Sequence, residues 1–468
     1  MRFFQSGFLC GLLCLALSMQ VMAQDEGSSD SQENNGFSFQ GPSDGMGYSQ
    51  FTAPVGYTRI GDQNFISLRL QPELAFGKFG AGLDIPLLFN TSDGKLRTDE
   101  YKGGVGPLRI IRYVRYGVKH KDPVYVRVGD ISGSYLGYGL TMYNYTNAVS
   151  FEKRKVGVNY DLNYDLRFGI EGVYSDFNGF NIFGVRPYAR PLKTSDIPII
   201  KTTEVGVTYI TDGDKNIEYG VTEIGADIGM TVLESKMVQI VPYIEYARIM
   251  KNSDLKNDLR NNAIVDEEGN TVNLPSDAKY GAGQGLAIGT NFRFNFVADV
   301  FNMGVKLERR FYSDNFVPQY FDAVYEINKD RKAIGLISAE GVQGTYGEIF
   351  ANLINKVQIL GGISIPDKLK KTDGAFIHLG LSAPDLIPQT VIYGSYDKGY
   401  LDDLGEAFKF NQNSIAHLVI AYKLYPYLLT GFDYKWTFVK TDNGFKAKRY
   451  ITPFVGLQLQ LPVGDQKK

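Results

Sequence analysis

The chain is built from runs of about ten residues in which apolar and polar side chains alternate strictly. Residues 432–438, FDYKWTF, place four aromatic residues on one side of an extended strand and Asp433, Lys435 and Thr437 on the other. The same period of two recurs in ISLRLQPELAF (66–76), NFRFNF (291–296), MGVKLERRF (303–311) and VGLQLQL (455–461). The sequence therefore predicts an all-β fold made of long strands.

The connections between these runs alternate between short turns and long polar loops. Short turns are predicted at Gly77-Lys78, 119–122, 234–236, Val297 and Tyr425-Pro426, and composition marks hairpin turns at Asn178-Gly179 and Asn443-Gly444. Longer loops fall at about 90–106, 250–280, 312–343 and 400–412. The pattern predicts about 20 antiparallel strands, with 18 as the alternative, because the assignment is ambiguous at 136–152 and 344–356.

Composition and export narrow the class of protein. Residues 1–23 carry Arg2, an apolar run from Phe8 to about Leu17 and a small-residue site at Val21 and Ala23, which predicts a cleaved signal peptide. Both cysteines of the chain lie in this segment. Residues 24–48 form a polar acidic tail that we expect to be disordered, and residues 49–468 form one domain. The formal net charge of −2 gives no indication of nucleic-acid binding.

The strand pattern favours a membrane over a soluble core. The chain has no domain-sized repeats or linkers, which argues against sandwiches and propellers, and its strands are long enough to cross a hydrocarbon layer. Tyrosine, with 31 residues, suits a membrane interface. The sequence therefore predicts a transmembrane antiparallel up-and-down β-barrel with short periplasmic turns and long extracellular loops. We expect the lipid-facing aromatic residues to include Phe432, Tyr434, Trp436 and Phe438, with Trp436 and Phe438 near the outer interface.

At this level the chain resembles the Gram-negative outer-membrane β-barrels of the porin-like class, over about residues 49–461. Such barrels end in an assembly signal, and Gly456, Leu459 and Leu461 fit its spacing. Leu461 is not aromatic, however, and seven residues follow it, which departs from the trimeric porins. The resemblance implies location in the outer membrane. It also implies that the partners are membrane lipid, lipopolysaccharide and the barrel-assembly machinery.

Lumen charges are the strongest functional lead. The alternation predicts that nine charged residues face inward and could set selectivity: Arg69, Glu73, Arg127, Arg293, Lys306, Glu308, Arg310, Asp433 and Lys435. Mixed charges of this kind form either a water-filled path for small polar solutes or a salt-bridged network that seals the barrel. We expect a channel or transporter without covalent chemistry. The alternative is a structural or interaction barrel, such as a scaffold, receptor or adhesin, that does not conduct.

Other motifs carry weaker signals. His378 and His417 are predicted to face the lumen and would be the candidates in an outer-membrane hydrolase, whereas His120 is expected to be solvated in a turn. No spacing predicts a metal site or a cofactor, and the acidic loop 250–280 is expected to be simply solvated rather than to bind calcium. Residues 317–333 have helical spacing and are predicted to fold over or into the barrel mouth, with a bent strand as the alternative. The sequence predicts neither the solute nor the oligomeric state.

Overall fold

The computed structural model describes residues 49–461 apart from a set of gaps. These gaps are 61–62, 103–106, 121, 148–154, 166, 215–219, 252–263, 266–270, 273–281, 298–299, 324, 328, 355–356, 370–373, 385, 412 and 442–443. The predicted signal peptide and acidic tail therefore lie outside the described residues, as does most of the acidic loop.

The described chain forms 20 strands. Their bounds are β1 Ser49–Ile60, β2 Gln63–Phe76, β3 Phe79–Leu83 with Ile85–Asn90, β4 Ile111–Tyr116, β5 Val124–Gly129, β6 Gly157–Tyr164, β7 Phe168–Tyr174, β8 Ile182–Ala189, β9 Glu204–Asp212, β10 Val221–Gly229 with Leu233–Glu234, β11 Val238–Lys251, β12 Ala282–Val297, β13 Phe301–Tyr312, β14 Gln343–Leu353, β15 Val357–Pro366, β16 Ala375–Pro384, β17 Thr390–Leu401, β18 Ser414–Tyr425, β19 Leu428–Thr441 and β20 Gly444–Leu461. A separate short ribbon pairs Ile264–Val265 with Thr271–Val272.

The sheet closes on itself. Each strand pairs antiparallel with the next along the chain, and β1 pairs with β20 through Ser49 opposite Leu461 and Val55 opposite Val455. The predicted antiparallel up-and-down barrel and its count of about 20 strands are confirmed. Closure leaves no free sheet edge, so the backbone groups of the wall are paired within the sheet.

Burial along the strands is inverted relative to a soluble protein. On β11, Tyr243 and Glu245 are 3% and 1% exposed, while Ile244 and Tyr246 between them are 45% and 38% exposed. Burying carboxylates while exposing aliphatic side chains is unfavourable in water. The outer surface is therefore suited to hydrocarbon, and the polar face of each strand lines the lumen. Among the described residues, no helix is long and apolar enough to cross a membrane.

Most short turns lie at one rim of the barrel and most long connections at the other, with residues 190–203 as a longer connection at the short-turn rim. Gly77-Lys78 joins β2 to β3, and Pro426-Tyr427 joins β18 to β19. Both chain ends of the barrel lie at this rim, since Ser49 pairs with Leu461. The opposite rim carries the long connections 91–110, 130–156, 252–281, 313–342 and 402–413.

One of the two predicted hairpin turns differs from the structure in its position. Asn178-Gly179 lies, as predicted, in the hairpin connection between β7 and β8. Gly444 pairs with Thr441 as the first residue of β20, so the turn falls on residues 442–443, outside the described residues.

Two segments from the long-loop rim fold into the lumen. We call residues 131–147 the inserted segment and residues 313–342 the cap. Leu136, Leu140 and Met142 of the inserted segment are fully buried in one cluster with Phe316 and Phe321 of the cap. The two segments also pair directly, since Tyr143 N–H donates to the carbonyl of Phe321 at 3.1 Å. The barrel therefore has an apolar core inside its polar wall.

The helix of the cap lies later in the sequence than predicted. It spans Lys329–Ser338 and follows a single 3-10 turn at Tyr325–Ile327. Pro318 and the left-handed backbone of Gln319, with φ of 51°, prevent a regular helix from starting near residue 317. The prediction that this loop folds into the barrel mouth is correct.

Candidate functional site

The inserted segment rests on glycines of the lumen wall. A side chain at Gly229 on β10 would overlap the hydroxyl of Tyr138, and one at Gly184 on β8 would lie 3.0 Å from Leu136 Cδ1. Gly285 on β12 makes similar room for the ring of Phe316 in the cap. The wall from β6 to β14 is therefore covered by both segments, because small residues let backbone and rings approach it closely.

Arg186 on β8 organises the first ionic group beneath the inserted segment. Its guanidinium lies 3.0 Å from Glu171, 2.9 Å from Glu204 and 2.5 Å from Asp227, and its side chain is 1% exposed. Glu171 also accepts a hydrogen bond from the backbone N–H of Gly137 at 3.3 Å. Arg186 thus links β8 to three other wall strands and, through Glu171, to the inserted segment. Each carboxylate of this group therefore has a cationic partner.

The turn after β4 extends this group. Lys119 Nζ lies 2.7 Å from Glu171 and donates to the carbonyl of Tyr135 at 2.9 Å. The prediction that His120 is solvated is wrong: its side chain is 11% exposed and lies 3.2 Å from Asp161 on β6. The turn folds inward because carboxylates on β6 and β7 attract both residues, and sequence spacing alone does not show that proximity.

A second ionic group surrounds Lys306 and Glu308 on β13. Glu308 lies 3.0 Å from Lys306 Nζ and 2.5 Å from Arg310, and it accepts a 2.5 Å hydrogen bond from the hydroxyl of Tyr243. Lys306 also donates to the backbone carbonyl of Tyr138, which ties the wall to the inserted segment. All three charged residues are buried, so the network excludes bulk water.

Tyrosines complete this second group. Lys306 Nζ lies 5.2 to 5.7 Å from the ring centres of Tyr143, Tyr243 and Tyr346, and the Arg310 guanidinium lies 4.0 Å from that of Tyr346. The hydroxyls of Tyr143 and Tyr346 both donate to Glu348 on β14. Aromatic faces attract cations, so the rings stabilise charges that water does not reach.

The cap carries its own charges. Lys329 Nζ lies 2.8 Å from Asp212 at the end of β9 and 3.6 Å from Glu326. Burial opposes the charge of Lys329, but Glu326 and Asp212 outweigh it and raise the pKa of this lysine. For Lys332, burial dominates and lowers its pKa, although its ammonium lies 2.6 Å from Asp322.

The remaining part of the wall keeps its charges partly accessible. On β18 and β19, the side chains of His417, Asp433 and Lys435 are 28%, 25% and 29% exposed, and His417 Nε2 lies 2.9 Å from Asp433. Nearby, Arg69 on β2 is 15% exposed and pairs with Asp84 at 2.5 Å. The lumen is therefore asymmetric, with a covered wall from β6 to β14 and a more open wall around β18, β19 and β2.

The nine predicted lumen residues are spread around the barrel. Lys306, Glu308 and Arg310 belong to the covered wall. Glu73 is buried and pairs with Arg112 at 2.8 Å, while Arg127 pairs with Asp130 at 2.7 Å. Arg293 donates to Gln239 at 3.1 Å near the short-turn rim. Arg69, Asp433 and Lys435 lie on the open wall.

The predicted lipid-facing aromatics of β19 are placed unevenly. Phe432 is 58% exposed, whereas Tyr434 and Trp436 are half-buried. Trp436 packs against Phe410 of the long loop after β17, with ring centres 4.9 Å apart, which places it toward the long-loop rim. The side chain of Phe438 lies outside the described residues.

Sequence analysis missed the inserted segment as a functional element. Gly137 and Gly139 of this segment both have left-handed backbones, with φ of 58° and 90°, in an irregular chain. The available signal is the coincidence of a tyrosine-rich, glycine-rich stretch with wall strands that also contain glycine. That coincidence is visible only once strand register is known.

The lumen histidines bond to carboxylates. His378 Nδ1 lies 2.5 Å from Asp397 Oδ1 and 2.9 Å from Asn144 Nδ2 of the inserted segment, and His417 bonds to Asp433. Neither ring hydrogen-bonds a serine or threonine in the part of the chain that the structure describes. The described residues also contain no group of three or more potential metal ligands.

The closed barrel, its apolar outer surface and its charged lumen define a transmembrane β-barrel of the outer-membrane type. No protein-family model matches the chain, and none of the curated proteins matches it by sequence.

Solved structures similar to the chain include three bacterial proteins. OprD from Pseudomonas aeruginosa is 7% identical, with a TM-score of 0.33 and coverage of 91% of this chain and 98% of that one. OccAB4 from Acinetobacter baumannii is 7% identical, with a TM-score of 0.32 and coverage of 88% and 97%. CdiB from Acinetobacter baumannii is 8% identical, with a TM-score of 0.29 and coverage of 88% of this chain; the chain spans 60% of its length. Likenesses this distant carry no information about the solute.

Proposed function

We propose that the protein is a porin-like channel for small polar solutes in the outer membrane of a Gram-negative bacterium. In this proposal the protein reaches the membrane after its signal peptide is cleaved, and it performs no covalent chemistry. The observation that supports this most directly is the open wall, where His417, Asp433 and Lys435 keep about a quarter of their side chains accessible inside a closed barrel. Partly hydrated charges of both signs favour entry of water and polar solutes. The inserted segment and cap then act as the constriction.

Single-channel recording of the purified protein in planar bilayers tests this proposal. We expect discrete conductance steps that scale with salt concentration. A protein that inserts, as shown by resistance of the barrel to protease, but never conducts would overturn the channel function. Binding of membrane lipid, lipopolysaccharide and the assembly machinery belongs to the same proposal and is tested by co-purification.

A second candidate is a sealed barrel that serves as a scaffold, receptor or adhesin. It is supported by the buried ionic groups around Arg186 and Lys306, which would cost free energy to open. Deleting residues 252–281 separates the two functions. A channel keeps its conductance after this deletion, whereas a receptor that uses the acidic loop loses its partner.

A further inference from the structure

A cavity of about 70 Å³ lies between the cap and the outer ends of β13 to β17. The cap contributes Val317, Pro318, Gln319, Asp322 and Lys332 to its lining. At roughly 10–15 Å³ per water by this measure, it holds about five to seven water molecules, a volume suited to one small ring or one small amphiphile. Because the cap covers the barrel mouth, this cavity lies where a solute first meets the constriction.

Flat apolar surfaces form much of the cavity. Tyr312, Phe376 and Tyr400 contribute aromatic side chains, and Pro318 and Pro366 contribute apolar rings. The faces of aromatic rings carry negative charge and attract the weakly positive C–H groups of a saturated ring. These surfaces favour a ring with C–H groups on its faces over a linear ion.

Gln319 supplies an unpartnered polar group to the cavity. The residue is 4% exposed, and its side-chain nitrogen has no hydrogen-bond partner among the described residues. A carboxamide offers two N–H donors and a carbonyl acceptor. Leaving such a group buried and unpaired is unfavourable, so turning this enclosed nitrogen toward a ligand hydroxyl in the cavity would be favourable.

The charges of the cavity cancel. Lys332 Nζ lies 2.6 Å from Asp322 Oδ2, and it also donates to the carbonyl of Tyr320 at 2.8 Å. Both charged residues are buried. A neutralised ion pair offers no net attraction to an anion or a cation, but its oxygens and N–H groups still accept and donate hydrogen bonds to hydroxyls.

Backbone conformation marks the same place. Gln319 and Tyr400, which both line the cavity, have left-handed backbones with φ of 51° and 55°. Residues other than glycine hold such conformations only where the surrounding structure imposes them. Gln319 is fixed by its N–H, which donates to the carbonyl of Leu140 in the inserted segment at 2.7 Å. The side chain is thereby positioned by the constriction itself.

We propose that this cavity binds one neutral polyhydroxylated ring, of the size of a single sugar unit. The inference rests on the proposed channel function for its biological meaning, since bound sugar would be a solute awaiting passage. Binding itself depends only on the cavity.

Saturation-transfer NMR and calorimetry on the full-length protein in detergent micelles test the site. The probes are glucose, gluconate as a charged open-chain polyhydroxy acid and alanine as a small zwitterion. We expect glucose to bind and the other two to bind at least about fivefold more weakly. Equal or tighter binding of gluconate or alanine would overturn the assignment.

Variants separate the site from the rest of the lumen. Gly399→Val should abolish glucose binding by filling the cavity; its Cβ would lie 3.6 Å from Phe376 Cδ2, an ordinary contact distance. Gln319→Ala should weaken binding about five- to tenfold by removing one pair of hydrogen bonds. The matched control is Gln239→Ala, which removes another buried glutamine, outside this cavity, and should leave binding unchanged. Unchanged binding in Gly399→Val, with the heat-modifiable gel shift of a folded barrel, would overturn the site.

Bilayer recordings with glucose distinguish this inference from the channel function. Conductance that glucose does not reduce, together with no binding in micelles, removes the sugar site and leaves the channel intact. Binding in micelles by a protein that never conducts removes the channel and leaves the site.

Discussion

Tyr138 of the inserted segment stacks on Tyr243 of the β11 wall, with ring centres 3.8 Å apart and planes only 5° from parallel. Tyr243 also donates its hydroxyl to Glu308, the carboxylate that neutralises Lys306 and Arg310. A single side chain therefore joins the constriction to the ionic group of the wall.

Replacing Tyr243 should loosen the constriction. Tyr243→Leu removes the stacking, worth about 0.5–1.5 kcal/mol, and the hydrogen bond to Glu308. We expect larger or more frequent current fluctuations in planar bilayers. Tyr243→Phe is the control, because it keeps the stack and loses only the hydroxyl, so it should change the fluctuations less. Identical noise in both variants would contradict a role for the stack.

Removing the charge of Lys306 should destabilise the barrel. Lys306→Met leaves Glu308 with one cation fewer and cuts the bond to the Tyr138 carbonyl. Breaking a buried ion pair costs about 3–5 kcal/mol. Urea titration followed by gel mobility measures the loss. Lys95→Met is the control, since Lys95 is 82% exposed and its ion pair should contribute less than about 1 kcal/mol.

A charged residue on the outer face of a strand should destabilise the barrel more when it lies deeper in the membrane. Ile244 is 45% exposed in the middle of β11, and Ile244→Arg should cost about 2–4 kcal/mol and reduce folding into lipid vesicles. Leu233 is similarly exposed, at 46%, beside a short turn. Leu233→Arg should cost only about 0–1 kcal/mol. Equal losses at the two positions would contradict the assigned membrane depth.

Charge on the open wall should set ion preference. Asp433→Asn removes a carboxylate that lies 2.9 Å from His417 and 3.7 Å from Lys435. We expect the reversal potential in a salt gradient to shift toward anions, with stability changed by less than the loss in Lys306→Met. Glu171→Gln is the matched comparison on the covered wall. It should affect folding more than ion preference, because Glu171 is fully enclosed.

The cap should close more firmly as the pH rises. Burial lowers the pKa of Lys332 despite the nearby carboxylates of Asp322 and Glu223, so an opened cap binds this proton more tightly than a closed one. The free-energy cost of burying the charged Lys332 side chain in the closed cap falls as the pH rises from its lowered pKa toward the ordinary pKa of 10.5, because the side chain loses its proton there. Lys329 has a raised pKa, so its contribution is present below 10.5 and is lost only above it.

Limited proteolysis of the cap between pH 7 and pH 10 measures this effect. Cleavage within residues 313–342, corrected for protease activity on an unfolded peptide, should fall as the pH rises. Lys332→Met should remove that dependence. A fall of the same size in Lys332→Met would assign the effect to another group.

The sequence was sufficient to predict the strands of the barrel wall but not the packing of the segments inside the lumen. Strict alternation, as around Glu308 or Asp433, predicts which residues form strands, how many strands there are and which side chains face the lumen. It does so because one misplaced residue would turn charges toward lipid. It does not predict that Lys306 meets Tyr138, since that contact joins residues 168 positions apart. The same limit explains His120, whose partner Asp161 is 41 positions away in the chain.

The placement of the seam between β1 and β20 has a consequence for assembly. The side-chain partners described above for the inserted segment, from Lys119 to His378, lie between the turn after β4 and β16, while the seam joins residues 49–56 to residues 454–461. The ring is thus closed by strands that hold none of these partners. Packing of the inserted segment and closure of the barrel therefore involve different strands. One arc of the sheet holds the inserted segment, and the opposite arc forms the closing pair.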